Sequence, residues 1–168
     1  MTISLRPATL DDAEAVMLLH LQCHEEAYGR HLPPEFFAMR RSTLPERVEK
    51  LRMGIAAGHV PTVAYDDDDD GLLGIVSAGP ARDEDAPAGT ELFMIYTLER
   101  AYGSGAGQML LDSAIGRQAA FLWVLEDNPR AQAFYAKNGF AFDGTRKLLP
   151  EDWHSLPEVR MVRSAVTG

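Results

Sequence analysis

The sequence predicts one domain of the mixed α/β class. Of its 168 residues, 46% are hydrophobic and 24% are charged, which is typical of a globular chain with one sizeable core. Segments with strand-like alternation and segments with helical periodicity are interspersed along the chain, in the predicted order β-α-α-β-β-β-α-β-α-β-β. No repeat, linker or change of composition divides the chain, so residues 1–168 are expected to form a single domain.

The first half of the chain contains four predicted strands and two helical regions. "ISLR" is a short strand, and Thr9 with Asp12 forms a variant capping box at the start of a helix over about 10–27. A second helical region covers about 34–57 and is interrupted near Pro45. "HVPTVAY" and "LLGIVSAGP" form a hairpin around "DDDDDG", and "TELFMIYTL" is the strongest strand signal, rich in aromatic and branched residues.

The second half begins with a glycine-rich turn that opens a helix over about 105–119. "AFLWVLED" follows as a strand. The next helix, "NPRAQAFYAKN", has clear limits, because Asn128 is an N-cap, Pro129 is suited to the first helical position and Gly139 is a C-terminal stop. "FAFDGTRKLL" and "EVRMVRSAV" close the chain as two strands, whose edges permit pairing with a second copy in a homodimer.

Charge and cysteine content restrict the partners and the compartment. A net charge of -9 argues against nucleic acid, which needs a basic surface, and mildly favours a cationic partner such as an amine. Cys23 is the single cysteine, so no internal disulfide can form, which fits a reducing compartment. The N-terminus does not resemble a signal peptide and no apolar run is long enough to span a bilayer, so we expect a cytoplasmic protein without a membrane partner.

The glycine-rich turn "GSGAG", Gly103 to Gly107, is the most informative local feature. A P-loop would continue with Lys and Ser or Thr, and the dinucleotide fingerprint would need glycine at position 108, which is Gln108. Two interpretations remain. The segment is either a flexible turn, or a set of backbone amides that, with the dipole of the following helix, binds a pyrophosphate.

Two longer segments carry a family resemblance. "YTLERAYGSGAGQMLL" followed by "LWVLEDNPRAQAFYAKNGF" resembles the GNAT superfamily of acetyl-CoA-dependent N-acetyltransferases. The cofactor motif of that family, Gln/Arg-x-x-Gly-x-Gly/Ala, falls on 102–107, and its second motif falls on Asn128, Tyr135, Gly139 and Phe140. The usual Gln or Arg is Tyr102, and the usual basic residue beside the first glycine is Ser104, so backbone amides would carry most of the pyrophosphate contact.

The resemblance implies a fold and a cofactor. It implies a GNAT-like, mixed and mostly antiparallel sheet, splayed between strands 4 and 5 and flanked by helices, with acetyl-CoA in the opening. Backbone groups of strand 4 would pair with the pantetheine arm, and one amide would polarise the thioester carbonyl. The implied cofactor-binding residues are Ile95, Tyr96, Thr97, Tyr102, Gly103, Ser104, Gly105, Ala106, Gly107, Gln108, Asn128 and Tyr135.

The resemblance also implies catalytic roles. Tyr135 would donate a hydrogen bond to the departing thiolate, and on the short helix Phe134 could then face the core while Tyr135 faces the cleft. Glu91, on strand 4, is the first candidate for the proton acceptor, working through water. Further candidates for this role are His24, Glu25, Glu26, Glu126 and Asp127. His24, Glu25 and Tyr28, at the end of the first helix, are the expected acceptor-binding residues.

The function that follows is transfer of an acetyl group from acetyl-CoA to a primary amine of a small molecule or peptide, by direct attack in a ternary complex. A non-catalytic module that senses acyl-CoA or acts as a scaffold is the alternative, motivated by Tyr102 and Ser104. A nucleotide-binding protein of unrelated fold is a third, weaker hypothesis.

No metal site is expected from the sequence. The acidic run 66–70 has the spacing of half a calcium loop, but the twelfth position is Ser77 where glutamate is required. His20, Cys23 and His24 lie on neighbouring turns of one predicted helix without an evident fourth ligand.

Overall fold

The structure, a computed structural model, describes residues 1–167 and contains five α-helices and seven strands in that range. The predicted domain also includes Gly168, which lies outside the described residues. The helices are α1 (Ala13–Tyr28), α2 (Pro34–Ser42), α3 (Leu44–Ala56), α4 (Ala106–Ile115) and α5 (Pro129–Lys137). The strands are β1 (Ile3–Pro7), β2 (Thr62–Asp66), β3 (Leu72–Pro80), β4 (Thr90–Thr97), β5 (Ala120–Leu125), β6 (Ala141–Leu148) and β7 (Pro157–Arg163).

The strands form one mixed sheet in the order β1-β2-β3-β4-β5-β7-β6. The pairs β1–β2, β2–β3, β5–β7 and β6–β7 are antiparallel. Strands β4 and β5 are parallel, with Glu91 opposite Phe121 and Leu92 opposite Leu122. This mixed, mostly antiparallel sheet with flanking helices confirms the predicted fold class.

The chain forms two compact units. The first unit consists of Met1–Ser77 and Met94–Ala114, so it holds β1, β2, most of β3, α1 to α3, the end of β4 and most of α4. Its core consists of apolar side chains from α1, α3, β2 and β3, among them Val16, Val63 and Ile75, which are fully buried. Burial of such side chains contributes about 1.5–3 kcal/mol each to the free energy of unfolding.

The second unit consists of Ala78–Phe93 and the chain from Ile115 onward. It holds the whole of β5, α5, β6 and β7, together with the start of β4. Its core contains Phe121 and Leu122 of β5 and Met161 of β7, all fully buried. β5 is buried along almost its whole length, whereas nearly every residue of β6, the last strand in the sheet order, is exposed. Strand β6 is therefore an edge strand.

Several element boundaries differ from those predicted from the sequence. The region 34–57 is two helices that meet at Thr43, whose hydroxyl donates to the carbonyl of Met39 at 3.1 Å, while Pro45 lies in the first turn of α3. Helix α4 ends at Ile115 instead of continuing to residue 119, because Gly116 adopts a left-handed conformation with φ of 48°. Strand β5 ends at Leu125, two residues early.

Candidate active site

The glycine turn, residues 103–107, lies in the first unit between the end of β4 and α4. Gly103 and Gly105 have φ of 76° and 94°, a left-handed backbone that other residues adopt only with strain. A Cβ atom at either position would meet nothing within 4 Å, so the backbone conformation, and not crowding, requires glycine here. The turn therefore keeps its backbone open on the side where side chains would otherwise project.

The turn leads directly into α4. The hydroxyl of Ser104 donates to the carbonyl of Ala101 at 2.6 Å and accepts from the amide of Ala106 at 3.3 Å, which fixes the start of the helix. The first helical hydrogen bond runs from the amide of Met109 to the carbonyl of Gly105 at 3.0 Å. The start of a helix presents backbone amides at the positive end of the helix dipole, so this end of α4 is suited to an anion.

The end of β4 adjoins this turn in the chain, and the packing of β3 against it depends on Gly74. A Cβ atom at Gly74 would lie 2.7 Å from the carbonyl oxygen of Tyr96 and 2.9 Å from Thr97 Cγ2. The side chains of Ile95, Tyr96 and Thr97 are half-buried. The amide of Leu98 donates to Leu73 of β3 at 2.9 Å, which anchors the strand where it leaves the sheet.

Of the expected acceptor-binding residues on α1, His24 lies beside Tyr96. The His24 side chain is 2% exposed, and its ring centroid lies 4.9 Å from that of Tyr96 and 5.3 Å from that of Tyr28. Burial, followed by the charges of neighbouring basic groups, lowers the pKa of His24 well below its usual 6.5, so the imidazole is neutral at pH 7. Glu25 forms an ion pair with Arg41.

Glu91 lies in the second unit, at the start of β4, and is only 2% exposed. Its carboxylate accepts three hydrogen bonds from Arg82: the backbone amide at 3.1 Å, Nε at 3.1 Å and Nη2 at 2.7 Å. The guanidinium of Arg82 also lies 4.2 Å from the ring centroid of Phe93. Glu91 is thus a buried, ion-paired carboxylate and not a solvated residue at a strand edge.

Helix α5, also in the second unit, carries the second motif. The side chain of Asn128 accepts from the amide of Ala131 at 3.2 Å, as expected for an N-cap. Tyr135 is 8% exposed and packs edge-on against Phe134 and Phe140, with ring centroids 5.5 and 5.9 Å apart. The two aromatic residues of the helix differ from expectation, since Tyr135 is buried and Phe134 is half-buried.

The structure groups the predicted residues in two sets. His24, Tyr28 and Tyr96 come together in the first unit, which also holds the glycine turn, while Glu91, Asn128 and Tyr135 belong to the second.

Sequence reasoning missed Arg82 as the partner of Glu91, and it missed Arg40 and Arg47, the two arginines near His24. Nothing in the local sequence indicated these contacts, because they join elements that are separated in the chain.

Membrane-spanning helices and metal-binding groups are both absent from the described residues, 1–167. None of the helices there is long and apolar enough to cross a membrane. The same residues contain no group of three or more His, Cys, Asp or Glu side chains suited to holding a metal ion.

Relatives of known family share this sequence and fold. Uncharacterized N-acetyltransferases of Mycobacterium tuberculosis and Mycobacterium bovis are each 39% identical over 62 residues, which is 33% of this chain and 40% of the relative. The matched region thus spans well under half the length of these relatives.

Among solved structures, the PaiA N-acetyltransferase of Thermoplasma acidophilum, in complex with coenzyme A, superposes with a TM-score of 0.74 at 20% identity, over 98% of this chain and 99% of that one. The yncA protein of Salmonella typhimurium, solved with its cofactor acetyl-CoA, gives a TM-score of 0.67 at 15% identity, over 100% and 96% of the two chains. The model of the acetyltransferase (GNAT) family matches residues 13–140, which include α1 and the glycine turn and extend through α5. Because this match spans most of the chain, the protein belongs to the GNAT acetyltransferase family.

Proposed function

We propose that the protein transfers the acetyl group of acetyl-CoA to a primary amine of a small molecule or peptide, by direct attack in a ternary complex. The observation that carries the proposal is the glycine turn, in which Gly103 and Gly105 adopt left-handed conformations immediately before α4. Family membership and the coenzyme A and acetyl-CoA bound to PaiA and yncA support the choice of cofactor.

Backbone amides of 103–108 would hold the pyrophosphate of the cofactor. The site needs no basic side chain at Tyr102 or Ser104, because the backbone amides of a helix start and the helix dipole both favour an anion. Ser104 instead contributes by fixing the start of α4 through its two hydrogen bonds.

Backbone groups at the end of β4, Ile95 to Thr97, would pair with the pantetheine arm and direct one amide at the thioester carbonyl. An amide held in place before the reaction stabilises the negative charge that develops on the carbonyl oxygen, which is worth about 3–4 kcal/mol in well-studied cases. The anchoring of Leu98 to Leu73, at 2.9 Å, keeps this segment fixed.

Tyr135 would donate a hydrogen bond to the departing thiolate. Its ring is held by Phe134 and Phe140, so the hydroxyl has a defined direction. A phenol has a pKa of about 10 and a thiol about 8.5, so a hydrogen bond to the thiolate is favoured over complete proton transfer unless the site shifts these values.

Glu91 remains the first candidate for accepting the proton of the amine through water. Each carboxylate oxygen has two lone pairs, so Glu91 can orient a water molecule while Arg82 holds it in position. His24 is the second candidate, because its imidazole is neutral at pH 7 and a neutral imidazole can accept a proton.

Direct transfer is preferred to a cysteine relay. Cys23 is buried in the core of the first unit, and burial, followed by the charge of Glu26, raises the pKa of its thiol to about 12. The thiolate is the nucleophilic form, so this side chain is unreactive at neutral pH. A single reduced cysteine also agrees with our proposal of a cytoplasmic location.

The alternative function is an acyl-CoA-binding module without catalysis, which Tyr102 and Ser104 favour. Both functions require binding of acetyl-CoA, so titration by calorimetry is the first experiment, and absence of binding at millimolar concentration would exclude both. Release of free thiol from acetyl-CoA in the presence of a panel of primary amines then separates them. An enzyme gives amine-dependent release, whereas a sensor binds the cofactor and releases none.

A homodimer through the edge strand β6 is part of the proposal. Phe142 and Leu148 of this strand are 55% and 58% exposed, so the edge strand presents two large apolar side chains that a second copy would cover. Light scattering on the purified protein tests this, and a monomer at all concentrations would refute it.

A further inference from the structure

A cluster of basic side chains lies in the first unit where α1, α2 and α3 meet. We call His20, His24, Arg40 and Arg47 the basic cluster. The imidazole rings of His20 and His24 have centroids 4.1 Å apart, and the ring of Tyr96 lies 5.0 Å from the first and 4.9 Å from the second. The cluster therefore adjoins the segment of β4 that we propose holds the acyl arm of the cofactor.

Arg47 has two buried N–H groups that lack a hydrogen-bond acceptor in the described chain. Its Nη2 donates to the backbone carbonyl of Arg40 at 3.0 Å. Its Nε and Nη1 are both buried, and neither donates to an acceptor among residues 1–167. Nδ1 of His20 is likewise buried and has no hydrogen-bond partner among residues 1–167. Folded proteins pair nearly all buried polar groups, and a buried guanidinium above all needs an acceptor of negative charge.

The charged groups that shift the pKa values of His20 and Arg47 are all basic. Burial, and then the charge of Arg40, lowers the pKa of Arg47. Burial, and then the charges of Arg40 and Arg47, lowers the pKa of His20 to about 4. Among residues 1–167, only the basic groups Arg40 and Arg47 contribute charge to these shifts, although the protein has 25 acidic and 16 basic residues. The basic cluster thus holds like charges close together in an acidic protein.

We propose that the basic cluster binds a carboxylate of the acceptor, so that the acceptor is an amino acid or a similar amino carboxylate. This inference rests on the proposed function and narrows its acceptor class. A guanidinium matches a carboxylate in charge and in hydrogen-bond geometry, and Arg47 supplies two buried donors for it. A carboxylate bound there leaves the amine of the same molecule close to Tyr96 and the end of β4.

The test compares amino acids with the amines that lack only the carboxylate. The four pairs are L-alanine and ethylamine, L-leucine and isoamylamine, L-phenylalanine and phenethylamine, and L-lysine and cadaverine. Thiol release from acetyl-CoA is measured for each with the full-length protein. We expect at least one amino acid to have a kcat/KM at least tenfold above that of its paired amine. If every amine reacts as well as its amino acid, the inference is overturned.

Variants then connect this preference to the cluster. Arg47→Gln should raise KM for the preferred amino acid at least tenfold and should lower the ratio of its kcat/KM to that of the paired amine by the same factor. Arg52→Gln is the matched control, because Arg52 is exposed and lies on the same helix as Arg47. Within the described chain, its one ion pair is with Glu49 at 3.8 Å. An unchanged KM in Arg47→Gln overturns the role of the cluster. If this variant does not fold, Arg40→Gln and the wild-type pairs decide the question.

A binding measurement separates this inference from the proposed function. The same L-amino acids, without cofactor, should raise the melting temperature of the wild-type protein and of Arg52→Gln, but not of Arg47→Gln. Failure of the proposed function appears as no binding of acetyl-CoA and no thiol release with any amine. Failure of the inference appears as thiol release without preference for a carboxylate and without protection by amino acids.

Discussion

At the residue scale, Tyr135 is the strongest assignment that can be tested by one substitution. Removal of its hydroxyl in Tyr135→Phe should lower kcat at least tenfold, which corresponds to about 1.4 kcal/mol of transition-state stabilisation, with little change in KM for acetyl-CoA. The ring contacts with Phe134 and Phe140 remain in this variant, so the fold should be kept. Steady-state kinetics with acetyl-CoA and a reactive amine is the measurement.

Tyr65→Phe is the matched control for this substitution. Tyr65 lies in β2, where the Arg6 guanidinium is 5.4 Å from its ring centroid, and it has no role in the proposed mechanism. Its kcat should equal that of the wild type. Equal kcat in both variants would remove Tyr135 from the mechanism and leave it as a packing residue.

Asp12 shows how one carboxylate makes stability depend on pH. It accepts from Arg6 at 2.6 and 2.9 Å and from the amide and hydroxyl of Thr9 at 2.7 and 3.0 Å. These bonds, above all those from Arg6, hold its pKa well below the usual 3.8. Because the folded state favours the ionised form, the stabilisation is complete above about pH 5, decreases as the pH falls through 3.8, and is lost once the pH is below the lowered pKa of the folded state.

Asp12→Asn should therefore lower the free energy of unfolding by about 1–3 kcal/mol at pH 7, since it weakens hydrogen bonds to a charged group. The difference from the wild type should shrink at pH 3. Urea unfolding at both pH values measures this, and Asp11→Asn, on the exposed neighbour, should differ from the wild type by less than about 0.5 kcal/mol at either pH. A difference that stays constant with pH would contradict the explanation.

At the scale of elements, the glycine turn connects backbone conformation with cofactor binding. Gly105 has φ of 94°, so Gly105→Ala should cost about 1–2 kcal/mol of stability through backbone strain alone, since its Cβ would meet nothing within 4 Å. If the turn relaxes instead, the amides move, and affinity for coenzyme A should fall. Calorimetric titration and thermal unfolding measure the two effects.

Gly89→Ala is the control for an added methyl group without backbone strain. A Cβ atom there also meets nothing within 4 Å, and the φ of Gly89 is not left-handed. Its stability and its affinity for coenzyme A should match those of the wild type. The assignment of the turn to the cofactor would be contradicted if Gly105→Ala kept the stability of the wild type, so that the turn had relaxed, and still bound coenzyme A as tightly as Gly89→Ala.

The sequence predicted elements whose signals are local. Asn128, Pro129 and Gly139 mark the ends of α5 through their own conformational preferences, and the structure has this helix over Pro129–Lys137. It did not predict contacts that need the tertiary fold. Arg82 and Glu91 are separated by a loop, and Arg47 meets the histidines of α1 only through the packing of three helices. Composition and periodicity contain no information on such pairs.

At the scale of the whole molecule, we propose that the two compact units form the single domain predicted from the sequence. The argument is continuity of the elements, because strands β3 and β4 each belong partly to one unit and partly to the other. A strand or helix loses its cooperative hydrogen bonding if half of it unfolds, so the two units are expected to unfold together.

The position of the tryptophans allows this to be measured without mutation. Trp123 and Trp153 are the two tryptophans of the chain and both lie in the second unit, so tryptophan fluorescence reports that unit. Helices α1, α2 and α3 lie in the first unit and dominate circular dichroism at 222 nm.

If the chain unfolds as one cooperative domain, fluorescence and circular dichroism should give the same urea midpoint, and the calorimetric and van't Hoff enthalpies should agree. Separate midpoints would mean that the units unfold independently, and binding of coenzyme A would then shift each midpoint only to the extent that the corresponding unit contacts the cofactor.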